Sequence, residues 1–265
     1  MKTVILIPAR YASTRYPGKP LATLTGPDGT KSLIQRSWEA AMSVPEADAV
    51  FVATDDDRIA DAARAFGAEV IMTSEDCRNG TERCADALTR GGLSPELVVN
   101  LQGDAPLTPP WFLSDLVRAM QEDESLDAAT PVLRCDPETL AMFLEDRKND
   151  RVGGTTAVFD TDRNALYFSK EVIPYTGGKS FDAGQVPVFH HVGVYAYRPR
   201  ALAAYGTWAE GVLEKLEGLE QLRFLENGAK LKCVEVDARG RLFWELNNPE
   251  DVARIEKVLQ AEARG

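Results

Sequence analysis

The sequence has few histidines, few cysteines, no excess of positive charge and no long apolar run. Its two histidines, His190 and His191, are neighbours, so on a strand they point to opposite faces and do not make a metal-ligating pair. The four cysteines, Cys77, Cys84, Cys135 and Cys233, show no CxxC spacing and no regular framework. Reduced thiols in the cytoplasm are therefore expected. No apolar stretch approaches the ~20 residues that span a bilayer. The N-terminal apolar run starts at once and is too short for a signal peptide. Lys and Arg number 30 against 41 Asp and Glu, a formal charge of −11 that argues against a nucleic-acid or anionic-membrane partner. Repeats, low-complexity tracts and flexible linkers are also missing. What is present is ample for a core: 265 residues, 44% of them hydrophobic.

The order of apolar patterns points to an α/β fold. Val4 to Ile7 has no polar break and predicts a strand buried on both faces, as at the centre of a parallel sheet. Leu33, Ile34, Trp38, Ala41 and Met42 recur at helical spacing, and "AVFVAT" (49 to 54) follows as a second strand. "DDDRIADAARAFG" reads as a helix with acidic residues at its start and Gly67 at its end, before the strand-like "EVIMT". "LVVNLQ" (97 to 102) and the proline-led helical pattern "PPWFLSDLVRAM" complete a mostly parallel sheet with helices on both faces. From about 127 to 205 the pattern changes to strand-like runs, "DAATPVL", "TTAVFD", "ALYFS" and "HHVGVYAYR", with no long helix expected among them. That predicts an antiparallel, strand-rich extension. A helical stretch over 207 to 228, a strand at "KLKCVEV" and a terminal helix from about 249 finish the chain.

Against the acidic background one loop is basic. "PARYASTRYPGKPL" (8 to 21) follows the first strand and carries Arg10, Arg15 and Lys19. The Gly18-Lys19 pair is not a P-loop, because Pro20 stands where the Ser or Thr should open the helix, and no GxGxxG follows the strand. An anion site and an ordinary solvated basic turn both fit this loop alone. Gln102 and Asp104 in "NLQGDAPLTP" leave another central strand at the same sheet edge. Asp104 alone could simply cap a turn. Together, cations for a polyphosphate and a carboxylate able to hold Mg²⁺ are the minimal equipment for phosphoryl or nucleotidyl transfer. In "NGTERCA", Gly80 and Thr81 open a helix with Glu82 in its first turn, either a surface for a base or a plain capped helix. His191, beside Gly193, could touch substrate or serve the structure.

Eight segments in order, "IPARYASTRYPGKPL", "VATDD", "NGTER", "VNLQGDAPLTP", "ALYFSKEVIPY", "HHVGVYAYR", "LEGLEQLRFLENG" and "NNPEDV", make the chain resemble the 3-deoxy-manno-octulosonate cytidylyltransferases, or CMP-Kdo synthetases. The resemblance implies one Rossmann-like nucleotidyltransferase domain over 1 to 265, its strand-rich part at about 127 to 205 serving sugar binding and dimerisation. It implies Mg²⁺-dependent transfer of CMP from CTP to the anomeric hydroxyl of an eight-carbon 3-deoxy-2-ulosonic acid, with pyrophosphate released, for lipopolysaccharide or capsule synthesis. By the same resemblance Ala9, Arg10, Ser13, Arg15 and Lys19 lie at the triphosphate, and Asn79, Gly80, Thr81, Arg83 and Gln102 surround cytosine and ribose. Gln102, Lys170, His191, Tyr195, Glu220 and Gln221 fall where the family contacts the sugar acid. Asp104 and Asn247 fall at the metal, and Arg10, Lys19 and Asp104 carry the catalytic roles.

The departures concentrate in the sugar half. Ala105 replaces the glutamate of the family's GDEP, Lys170 replaces an arginine, and "GGTTAV" (153 to 158) replaces a segment whose lysine falls on Thr156. At 247 the family's aspartate is Asn247, with Glu245 two positions back as an alternative carboxylate. These changes leave room for an 8-amino-Kdo or neuraminate type of acid, or for a non-catalytic paralogue that binds CTP.

Overall fold

The computed structural model describes residues 2 to 13, 16 to 103, 106 to 152, 154 to 240 and 251 to 262. In the first half, β1 (Thr3–Ala9) leads through a 3-10 turn (Lys19–Leu21) and a small hairpin, β2 (Thr23–Gly26) and β3 (Gly29–Ser32), into α1 (Leu33–Met42). β4 (Ala49–Thr54), α2 (Asp57–Ala65), β5 (Glu69–Met72), α3 (Gly80–Arg90), β6 (Leu97–Leu101) and α4 (Pro110–Glu122) follow. β7 (Ala128–Arg134), α5 (Pro137–Lys148), β8 (Thr155–Phe159), β9 (Ala165–Ser169), β10 (Phe189–His191) and β11 (Val194–Tyr197) form the strand-rich part. The chain then runs through α6 (Pro199–Tyr205), α7 (Val212–Glu217), α8 (Leu222–Glu226), β12 (Leu231–Glu235) and α9 (Asp251–Glu262).

The expected α/β architecture is observed. One sheet runs β5-β4-β1-β6-β11-β7-β10-β8-β9, with β12 joined to β7. β5, β4, β1 and β6 are mutually parallel, and β11 enters antiparallel between β6 and β7. β7, β10, β8 and β9 are successively antiparallel, while β12 lies parallel to β7. β1 shows why the centre is apolar throughout. Ile5 and Ile7 pack with Ile34, Ala41, Ile59 and Phe112 from α1, α2 and α4 on one face. Val4 and Leu6 pack with Cys84, Ala87, Leu202 and Phe224 from α3, α6 and α8 on the other. A strand covered on both sides cannot alternate in polarity.

Three expectations need correction. The region from 127 to 205 does contain a long helix, α5, twelve residues capped by the Asp136 side chain on the Thr139 amide. Leu140 and Phe143 are its buried residues, and its apolar positions form no clear stripe, so the periodicity that marks amphipathic helices is weak here. The stretch from 207 to 228 is two short helices, interrupted where Gly218 takes φ 62° to end α7. "HHVGVYAYR" is likewise divided between β10 and β11.

Candidate active site

β1 and β6 are adjacent and parallel, with Leu6 beside Asn100, so the chain leaves both strands at one edge. The approach is close enough that a Cβ on Gly103 would lie 3.1 Å from the Pro8 carbonyl oxygen and 3.6 Å from the Ala9 Cβ. The basic loop is therefore brought beside the Gln102-Gly103 segment, as the α/β edge rule anticipates.

The described part of the basic loop is held mainly through its backbone. The Gly18 amide donates to the Tyr11 carbonyl at 2.9 Å, and the Lys19 amide to that of Tyr16 at 3.2 Å. Gly18 has φ 70°, and a Cβ there would come within 2.9 Å of the Tyr11 ring, so glycine is required twice over. The Arg58 guanidinium covers the Tyr11 ring at 3.3 Å from its centroid. Ser13 Oγ accepts the Tyr16 amide at 3.2 Å. Ala9 is buried at the end of β1, Arg10 is exposed, and its Nη1 lies 3.5 Å from the Arg78 carbonyl oxygen. Lys19 is half-buried at the start of the 3-10 turn. Arg15 and Asp104 lie outside the described residues, as do Asn247 and Glu245.

The second component is the start of α3. Asn79 caps it, its side-chain oxygen accepting the Glu82 amide at 2.8 Å. The Thr81 amide donates instead to the Glu220 carboxylate at 2.9 Å, so an internal acid takes the position at the helix N-terminus that suits an anion. Gln102 Nε2 reaches the other Glu220 oxygen at 3.3 Å. Gly80 makes this possible, since a Cβ there would lie 2.6 Å from Gln102 Nε2. Arg83 is buried and faces away from solvent, with Nη1 on Thr73 Oγ1 at 2.5 Å and Nη2 on Asp55 at 3.2 Å. It braces α3 against the ends of β4 and β5.

The sugar-side candidates gather next to that. Burial pushes the Glu220 carboxyl above its ordinary range, opposed by the hydrogen bonds from Thr81. Tyr195 donates to Gln221 Oε1 at 3.2 Å, and Gln221 Nε2 is buried with no partner among the described residues. The Lys170 ammonium sits by the turn at Gly218, where a Cβ would be 3.0 Å from its Nζ. Its backbone amide donates to Glu217 at 2.8 Å. His191 is 6% exposed, between Phe168 and Tyr195, with Nε2 3.0 Å from Thr130 Oγ1. Burial lowers its pKa to about 3 and that of His190 to about 4, so both rings are neutral near pH 7.

Sequence patterns did not single out Tyr205 and Arg223, which stand directly behind this cluster. Tyr205 OH receives the Asn79 Nδ2 donor at 3.0 Å and donates to the Glu220 carbonyl oxygen at 3.1 Å. Arg223 is fully buried, pairing with Glu214 at 2.6 and 2.7 Å and with Glu82 at 2.9 Å. In sequence each looks like an ordinary helical residue.

The chain is similar along its length to known proteins. A family model described as "Cytidylyltransferase" matches residues 4 to 232. A 3-deoxy-manno-octulosonate cytidylyltransferase from Maricaulis maris is 45% identical over 262 residues, covering 99% of this chain and 98% of the relative. An 8-amino-3,8-dideoxy-manno-octulosonate cytidylyltransferase from Shewanella frigidimarina is 41% identical over 264 residues, covering 99% and 100%. The solved structure of a CMP:2-keto-3-deoxy-manno-octonic acid synthetase complexed with CTP superposes with TM-score 0.82 at 34% identity, covering 100% of this chain and 99% of that one. A 4-diphosphocytidyl-2C-methyl-D-erythritol synthase from Anaerococcus prevotii, 14% identical with TM-score 0.57, shares the fold. With its whole length matched and its strand ends converging as they do, the chain belongs to the 3-deoxy-manno-octulosonate cytidylyltransferase family of nucleotidyltransferases.

Proposed function

We propose that the protein transfers CMP from CTP to the anomeric hydroxyl of a 3-deoxy-2-ulosonic acid, Kdo first, and releases pyrophosphate. The observation that carries this is the meeting of the basic loop after β1 with the Gln102-Gly103 exit of β6, next to the capped start of α3. Such a site needs no side-chain nucleophile. The 2-hydroxyl oxygen attacks the α-phosphorus in line, the bond to the β-phosphate breaks, pyrophosphate leaves, and the hydroxyl proton passes to solvent. The chain's contribution is to orient both substrates and offset their charge. Arg10, Ser13, Arg15 and Lys19, beside Ala9, hold the triphosphate. Asn79, Gly80, Thr81 and Gln102 hold cytosine and ribose, with Arg83 bracing them. Lys170, Glu220, Gln221, Tyr195 and His191 shape the sugar-acid side.

Mg²⁺ is the proposed cofactor. Among the described residues no group of three His, Cys, Asp or Glu could hold a metal ion. Asp104 and Asn247 fit as a donor set, because both offer the hard oxygen that Mg²⁺ takes alongside phosphate oxygens. Bound there, the ion would neutralise phosphate charge and polarise the phosphoryl oxygens. With one carboxylate instead of two, an elevated Mg²⁺ requirement is expected, and Asn247→Asp should lower the concentration for half-maximal rate.

A second substrate has a specific observation in its favour, the 41% identity to an 8-amino-3,8-dideoxy-manno-octulosonate cytidylyltransferase across the full chain. Pyrophosphate release on mixing CTP and Mg²⁺ with Kdo, 8-amino-Kdo and neuraminate separates the readings. Fastest release with Kdo is expected; faster release with 8-amino-Kdo reassigns the substrate. CTP binding with no release from any acid would make the protein a non-catalytic paralogue. We further propose one nucleotidyltransferase domain that works as a homodimer in the cytoplasm. The exposed Leu166 on the edge strand β9 supports the dimer, and sedimentation measures it. No helix among the described residues is long and apolar enough to cross a membrane.

A further inference from the structure

We infer that Tyr205 is a positioning residue that sets the register between the nucleotide segment (79 to 83) and the sugar-acid segment (218 to 221). The two segments are far apart in sequence. They meet through the Tyr205 hydroxyl, which accepts a hydrogen bond from the Asn79 side-chain amide and donates one to the Glu220 carbonyl oxygen. Beside this bridge the Glu220 side chain accepts the Thr81 amide. One end of α3 is thus tied to both the backbone and the side chain of a single residue on the sugar side.

The ring has little freedom to move. It is fully buried, packed on Phe224 at 4.9 Å between centroids and on Trp208 at 6.4 Å. The Arg223 guanidinium covers it at 4.2 Å. Arg223 is itself fixed by Glu214 on α7 and by Glu82 in the first turn of α3. Glu82 also holds Arg78 through its amide at 2.8 Å and its guanidinium, and the Arg78 carbonyl faces Arg10. A shift of the nucleotide segment would therefore break the Tyr205 bridge and strain a buried ion-pair network, so both segments keep a single relative placement. In an in-line transfer, that placement sets how the acceptor hydroxyl meets the α-phosphate.

This inference rests on the function proposed above for its kinetic consequence, but not for its structural one. Tyr205→Phe removes the bridging hydroxyl and keeps the ring, so the chain should fold. Hydrogen exchange of the backbone amides is expected to quicken at least fivefold in 79 to 83 and in 218 to 222 together, with β1 and β4 unchanged. With CTP and the preferred acid, kcat/KM is expected to fall five- to twentyfold for both substrates. Tyr205→Leu, which also removes the ring, should add general destabilisation visible as faster exchange in α6 and α8. Unchanged exchange in either segment of Tyr205→Phe overturns the inference, whatever the substrate. So does a kcat/KM loss confined to one substrate. If the wild type releases no pyrophosphate with any acid, the proposed function fails, and exchange alone still decides the role of Tyr205.

Discussion

The loop after β1 and the cluster behind α3 solve the problem of placing polar groups in opposite ways. The loop is shaped by backbone hydrogen bonds and two glycine-dependent contacts, which leaves Arg10 exposed. In the cluster Thr81, Gln221 and Arg223 are buried, and their polar atoms meet Glu220, Tyr197, Tyr195, Glu82 and Glu214. Charge that must meet a mobile, hydrated polyphosphate is cheapest to keep near water. Groups that must discriminate between bases or sugar acids gain from burial, where an unmatched partner leaves a polar atom stranded. Substitutions in the loop should therefore cost activity, and those in the cluster stability as well.

The largest expected effect breaks this comparison if it fails. Arg223→Met strips the buried Glu214 of its counter-charge, while Glu82 keeps Arg78, and should cost ~3 to 5 kcal/mol of stability in urea unfolding. Arg10→Met, on an exposed side chain, should cost no more than about 0.5 kcal/mol. Equal losses would erase the distinction. Lys19→Ala should raise the barrier to turnover by ~2 to 4 kcal/mol, by analogy with removing a preorganised charge donor. Its melting temperature should stay within about 2 °C of the wild type. Near-normal turnover at saturating CTP would remove its phosphate role.

Base choice sharpens the account of the cluster. CTP should be preferred over UTP by ~2 kcal/mol or more in kcat/KM, because a buried site matched to the exocyclic amine is left unpaired by the wrong base. Gly80→Ala pushes the Gln102 amide aside and should narrow that preference without unfolding the chain. Equal rates with both nucleotides in the wild type would contradict the cytosine assignment.

The smallest effect comes from the histidines. Folding lowers His190 to about 4 and His191 to about 3, against about 6.5 when unfolded, so the unfolded chain binds more protons as acid is added. Their stabilising contribution is complete above the unfolded value and is lost progressively as pH falls toward those folded values. Between pH 7 and 6 the loss is about 0.7 kcal/mol for each histidine. Urea midpoints across that interval should fall accordingly, and His191→Gln should halve the slope. A flat profile would mean that the rings are not buried neutral.

Sequence pattern makes the central sheet legible because β1, β4 and β6 are covered on both faces and are therefore mostly apolar. α5 escapes the pattern because its buried positions are few, and the polar β2-β3 hairpin offers little apolar alternation. At the site, glycine and charge in "PGKP" and "NGTER" mark local geometry that survives as a short string. Tyr205 and Arg223 leave no such mark. Their partners Asn79 and Glu82 lie 126 and 141 positions away, brought together only when α3, α6 and α8 pack on one face of the sheet.

Titrating the wild type and Lys19→Ala with CTP and with CMP tests the division of labour most directly. CMP lacks the outer phosphates that the loop is assigned to hold but keeps the base and ribose. Lys19→Ala is expected to weaken CTP binding at least tenfold, roughly 1.4 kcal/mol, and to leave CMP binding within a factor of about two. Equal weakening of both nucleotides, or no weakening of CTP, would contradict it.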